Sequence, residues 1–211
     1  MPQVIEFPSL GAEARQQLLA FLKIARETPP AGESFTAFRS RLRAAKLWDR
    51  ERPAVPLRFL GASGPTVVPS PFMQALAAAK SDDDALDLVA DRLLELNPLL
   101  FKTVVELIEQ RPHGKDEVSK YLGSFAYRGK PPSRPDLESF FLALIVAGVA
   151  RVVGIALVPG ARAERLKATL AGLDVDELLE NPTPLPEPVI PGSDEEGDAP
   201  APVADAGTAA M

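Results

Sequence analysis

The sequence predicts a mainly helical fold of two small repeated units followed by an acidic C-terminal tail, and three observations predict it. Apolar residues recur at helical spacing through most of the chain. The order helix, short helix, helix, hairpin occurs twice, at roughly 11–72 and roughly 98–160. All 23 Lys and Arg stand at or before Lys167, whereas ten acids and no base follow from Asp174 onward.

The first helix spans Gly11 to Glu27, with Leu18, Leu19, Phe21, Leu22 and Ile24 as its apolar face, and Thr28-Pro29-Pro30-Ala31-Gly32 ends it. Ser34 suits the N-cap of the next helix, Phe35 to Trp48, whose inner face is Phe35, Phe38, Leu42 and Ala45. The runs Val55 to Leu60 and Thr66 to Val68, around Gly61-Ala62-Ser63-Gly64-Pro65, predict a hairpin. Pro71 to Lys80 is helical, with Phe72, Met73 and Leu76 inward.

Ser81 and the acids Asp82, Asp83 and Asp84 open a helix that reaches Leu96. Asn97-Pro98 starts the next, Leu99 to Gln110, with Val104, Leu107 and Ile108 inward. A short helix from Lys115 to Leu122 turns Val118, Tyr121 and Leu122 inward, and a Gly129-to-Ser133 loop follows.

The stretch from Arg134 to Pro159 is the most apolar in the chain. Pro135 and Asp136 suit a first helical turn, Leu137, Phe140, Phe141, Leu144 and Ile145 share a face, and Gly148 stops the helix. Val149 to Val158 is rich in β-branched residues and predicts a strand. Phe140 to Ala161 competes as a membrane span, since a span needs about 20 apolar residues. Arg151 near its centre opposes insertion by about 3 kcal/mol, and Gly148, Gly154, Pro159 and Gly160 weaken a single helix. A membrane is therefore the disfavoured alternative.

Ala161 to Leu170 is a charged helix, and Asp174 to Glu180 adds one or two turns. Residues 181–211 hold seven prolines and no Lys or Arg, and their composition predicts a disordered acidic segment.

The net charge of -6 conceals an asymmetry. The first 173 residues hold 23 bases against 19 acids, a net +4, and the remainder holds ten acids. With no Cys there is no disulfide and no thiolate metal ligand or nucleophile. The N-terminus lacks a basic segment before an apolar run, so no signal peptide is expected and the cytoplasm is the default.

Catalytic patterns are scarce. The single histidine, His113, stands in Arg-Pro-His-Gly and reads as a surface loop residue. A zinc site would need further ligands that the spacing does not offer. Asp82, Asp83, Asp84 and Asp87 read as helix-start acids rather than a cation site. Pro135-Asp136-Leu137-Glu138 reads the same way, and no Walker-type phosphate loop is present. No catalytic residue, metal, cofactor or small-molecule substrate is expected. The strongest site signal is basic: Arg39, Arg41, Arg43, Lys46, Arg50, Arg52 and Arg58 against only Asp49 and Glu51. Such a patch neutralises phosphates, or serves as a solvated face.

The doubled element order resembles that of tandem winged-helix proteins. Leu57-Arg58-Phe59-Leu60-Gly61, then Thr66-Val67-Val68-Pro69-Ser70 leading into a helix, is similar to the wing-to-helix passage of winged-helix regulators. The resemblance implies two winged-helix-like units with short β-hairpins. Their boundaries are 1–96 for a first unit with a basic face and 97–160 for a second with an apolar helix. C-terminal helices at 161–180 and the tail at 181–211 complete the chain. It further implies a non-enzymatic DNA-binding protein of bacterial-regulator type, using the seven bases above. The second unit departs from the pattern: its third helix turns Leu142, Ala143, Val146 and Ala147 where a DNA-facing surface is polar. Leu142 and Val146 are accordingly expected at a contact with a second copy of the chain, a larger protein complex or another element of the same chain. The alternative is an architectural accessory subunit of a chromosome-organising or defence complex, with weak or no direct DNA binding.

Overall fold

The computed structural model describes residues 10, 13–124, 132–180, 185 and 187–192. Of the segment expected to be a disordered tail, 185 and 187–192 are described; the rest, like residues 125–131, lies outside the described residues.

The chain is mainly helical, with two small antiparallel sheets among the described residues. Helix α1 (Ala14–Glu27) buries Leu18, Phe21, Leu22 and Ile24. Strand β1 (Glu33–Ser34) runs directly into α2 (Phe35–Ala44), where the Ser34 hydroxyl accepts the Ala37 N–H at 3.3 Å as an N-cap. Helix α3 (Ala54–Leu60) and strand β2 (Thr66–Val67) follow.

Three expectations are corrected here. Val55 to Leu60 is helix rather than strand: Val55, Leu57, Phe59 and Leu60 are all buried, which a half-solvated hairpin strand would not achieve. Pro53 and Pro56 fit because the first-turn N–H groups of a helix need no intrahelical partner. The expected hairpin is therefore absent, and β2 pairs instead with β1, Glu33 opposite Val67 and Ser34 opposite Thr66. Finally, α2 ends at Ala44, four residues before Trp48, because Lys46 takes the left-handed conformation (φ 57°).

Helices α4 (Pro71–Ala78) and α5 (Asp82–Leu96) connect to the second unit. The Ser81–Asp84 pair forms a reciprocal capping box at the start of α5, the role expected of these acids. The second unit comprises α6 (Pro98–Gln110), β3 (His113–Gly114), α7 (Lys115–Gly123), α8 (Arg134–Val146), β4 (Ala150–Val153) and β5 (Ala156–Pro159). Its strands form an antiparallel sheet in the order β3–β5–β4. The single strand expected over Val149 to Val158 is thus a hairpin. Gly154 (φ 61°) occupies the turn, a conformation that costs a residue with a Cβ. Among the described residues no helix is long and apolar enough to cross a membrane, and the apolar stretch is divided among α8, β4 and β5.

Helix α9 (Ala161–Ala171) is joined to α5 by ion pairs of Arg162 and Arg165 with Asp83, Asp87 and Asp91, and α10 (Val175–Glu180) lies against α6. The two units share one continuous apolar core, with Phe21, Phe38, Phe59, Phe101, Phe140 and Phe141 fully buried. Each such ring contributes about 2–3 kcal/mol through loss of apolar surface to water. Helix α1 touches α4, α5 and α8, and the Leu10 N–H donates to the Ser139 hydroxyl at 2.9 Å.

Candidate functional site

The seven bases singled out by sequence separate into three groups. Arg41 and Arg52 belong to the scaffold. The Arg41 guanidinium pairs with Glu33 and Glu27 and donates to the Thr28 hydroxyl at 2.9 Å and the Ile24 carbonyl at 3.3 Å. It closes the C-terminus of α1 onto β1. Burial lowers its pKa, with Glu27 opposing that effect. Arg52 donates to Asp49 at 2.9 Å and to Asp136 of α8 at 2.7 Å. Burial works against its charge, but the hydrogen bonds to Asp49 and Asp136 outweigh it and raise the pKa.

Arg39 and Arg58 are half-buried. The Arg39 guanidinium lies 5.9 Å from the centre of the Phe35 ring. Arg58 stands in the last turn of α3, where its carbonyl accepts Arg92 Nη2 at 2.6 Å.

Arg43, Lys46 and Arg50 form the third group. All three are exposed, and none has an ion-pair partner among the described residues. They follow one another along the end of α2 and the segment after it, so the basic surface is narrower than the sequence suggests.

The third helix of each unit is largely buried. In α3 only Ala54 and Arg58 escape full burial. In α8, Leu137, Phe140, Phe141, Ala143 and Leu144 are buried, as is Ala147 just beyond it. This corrects the expectation that Ala143 and Ala147 face outward. Leu142 and Val146 are half-buried, and Val146 packs on the chain's own core.

Among the described residues of the second unit, the most exposed apolar side chains belong to its hairpin. Val152 and Val153 on β4 are 43% and 50% exposed, and Ile155 at the turn is 90% exposed. Strand β4 forms one edge of the sheet, with β5 on its other side. Sequence reasoning missed this feature because Val149 to Val158 read as one strand. The signal that could have found it is Val152-Val153-Gly154-Ile155, a glycine in the middle of a β-branched run.

His113 is also corrected. It is buried in β3 opposite Leu157, and its Nδ1 stands 3.1 Å from a Glu117 carboxylate oxygen. Tyr121, expected inward, is 45% exposed. No group of three or more His, Cys, Asp or Glu among the described residues could hold a metal ion.

No family model matches the chain, and no curated protein or solved structure matches it.

Proposed function

We propose that the protein acts by binding, as an accessory subunit that docks on another polypeptide through the β4–β5 hairpin. The exposed apolar residues of one hairpin, Val152, Val153 and Ile155, beside a strand edge that has no pairing partner among the described residues carry this reading. Exposed apolar side chains gathered on one element mark contact surfaces in soluble proteins, unlike singly scattered ones. An open edge adds backbone N–H and C=O groups, which an extended peptide strand satisfies. A lipid surface would leave those groups without partners. A polypeptide strand is therefore the occupant that suits both features.

The burial of α3 and α8 supports the same reading against base-specific DNA recognition. Direct readout requires side chains projecting from an element that enters a groove. A second reading is favoured by Arg43, Lys46 and Arg50: contact with nucleic-acid phosphates that is independent of sequence.

A photo-crosslinking residue in place of Ile155 tests the docking reading in extracts of the source cells. The expected result is a crosslink to one polypeptide, seen also from position 153 and abolished when Val152 is changed to Lys. Val152 is exposed, so the variant should keep the wild-type melting temperature. Crosslinks equal to those from an unrelated exposed position would reject the hairpin as the docking element.

A further inference from the structure

The chain returns to its first unit after α10. Leu185 and Ile190 pack against the core. Between them, the Val189 N–H donates to the Ser63 hydroxyl at 2.8 Å, and its carbonyl accepts the Gly64 N–H at 2.9 Å. A strap of residues 187–192 is thereby tied to the turn between α3 and β2. That turn adjoins the start of α2, since the next residue, Pro65, accepts the Phe35 N–H at 2.9 Å.

Two residues beyond Gly192 begins Asp194-Glu195-Glu196-Gly197-Asp198, the densest run of acids in the tail. We infer that the strap delivers this acidic run to the exposed face of Arg43, Lys46 and Arg50, so that the chain's own tail occupies the basic surface. The inference rests on the phosphate-contact reading of that face and adds its regulation.

Reach and charge both support it. From Val189 to Asp198 an extended chain spans up to about 30 Å. Along α2, Phe35 to Arg43 covers about 12 Å. Asp194–Asp198 supplies four carboxylates for three cations that have no ion-pair partner among the described residues. Anchoring at Val189 shortens the tether and raises the local concentration of the acids at this face. A tail that served only solubility would need no such anchor.

The absence of cysteine allows a unique nitroxide label at Gly197→Cys in the full chain. At about 50 mM salt, where screening is weak, the label should broaden the amide signals of residues 43–50. The broadening should fall at least about twofold at 0.5 M salt, and measurably in Ser63→Ala or Val189→Pro, which remove one of the two anchoring hydrogen bonds. Two substitutions on opposite sides of that bond guard against local misfolding in either. No broadening of these amides, or broadening unchanged in both anchor variants, would overturn the inference.

A DNA arm separates this outcome from the reading beneath it. Changing Asp194, Glu195, Glu196 and Asp198 to their amides should tighten binding to an unrelated duplex about threefold to tenfold at low salt. Tail broadening without DNA binding by either form would remove the phosphate reading and leave the tail on its face. DNA binding that is equal in both forms, with no broadening, would do the reverse.

Discussion

Arg52 and Asp136, 84 residues apart, form a 2.7 Å ion pair that ties the segment after α2 to the first turn of α8. Asp49 holds the same guanidinium from the other side, and the Ser133 hydroxyl donates to Asp136 at 2.7 Å. The four residues form a chain of charge-assisted hydrogen bonds between the units. Both members of the central pair are roughly one-quarter exposed, so screening reduces its value below that of a buried pair. In a double-mutant cycle of Arg52→Gln and Asp136→Ala by urea denaturation, the expected coupling is about 1 kcal/mol. Effects that add within about 0.3 kcal/mol would show that the pair does not join the units energetically.

The same geometry predicts that the basic residues are not equivalent. Arg43→Gln, Lys46→Gln and Arg50→Gln together should leave the fold intact and lower the slope of log affinity for duplex DNA against log salt by up to about 0.9 per lost contact. Arg41→Gln should do the opposite, lowering the melting temperature because Glu33 and Thr28 lose their partner, with little change in the salt slope. An unchanged slope in the folded triple variant would remove this surface from any account of nucleic-acid contact.

The acid response should depend on Glu117. Its carboxyl is held below its usual value of 4.5 by the hydrogen bond with His113, with desolvation opposing and Arg111 adding a favourable charge. A carboxyl with a depressed folded pKa contributes stability that is complete above its unfolded value and is lost as pH falls through the folded one. Wild type should therefore lose stability below about pH 4.5 faster than Glu117→Gln. The variant should melt earlier near neutral pH, and the two curves should converge in acid. Parallel melting curves between about pH 3 and pH 7 would refute the linkage.

Three helix ends show what the sequence made legible. Helices α2, α3 and α8 all finish with the same pair of backbone bonds. These are Lys46 N–H to Arg43 O with Leu47 N–H to Leu42 O, then Gly61 to Arg58 with Ala62 to Leu57, and Gly148 to Ile145 with Val149 to Leu144. Each places one residue in the left-handed region, the Schellman arrangement. Gly148 could be read in advance as a stop because glycine announces that conformation. Lys46 announces nothing, so the apolar spacing alone carries the expected helix on to Trp48. Gly61 was visible as a turn, but the residues before it alternate too little to separate a buried strand from a buried helix. The basic cluster was legible by composition, whereas its division into scaffold and exposed residues was not. Arg41 and Arg52 are consumed by Glu33, Asp49 and Asp136, and two of those pairs depend on tertiary packing or chain reversal. The hairpin surface was hidden for a simpler reason: Gly154 signals the turn, but without strand pairing nothing tells which valines around it are exposed.

Lys46 combines strain with a charge on the candidate phosphate surface, so one substitution separates the two. Its φ of 57° crowds Cβ against the carbonyl oxygen and costs about 1 kcal/mol or more relative to glycine. Part of that gain is offset because glycine loses more backbone entropy on folding. Lys46→Gly should therefore raise stability by about 0.5–1 kcal/mol, while Lys46→Ala, which keeps the Cβ, should not. Both variants remove the ammonium group, so both should weaken DNA binding and lower its salt slope by the same amount if Lys46 touches a phosphate. Urea denaturation and binding titrations on the same three proteins read the two properties independently. Equal stability of the glycine and alanine variants would contradict the strain at this helix end. A salt slope unchanged in both would show that the left-handed position of Lys46 serves only to turn the chain toward Arg50 and Arg52.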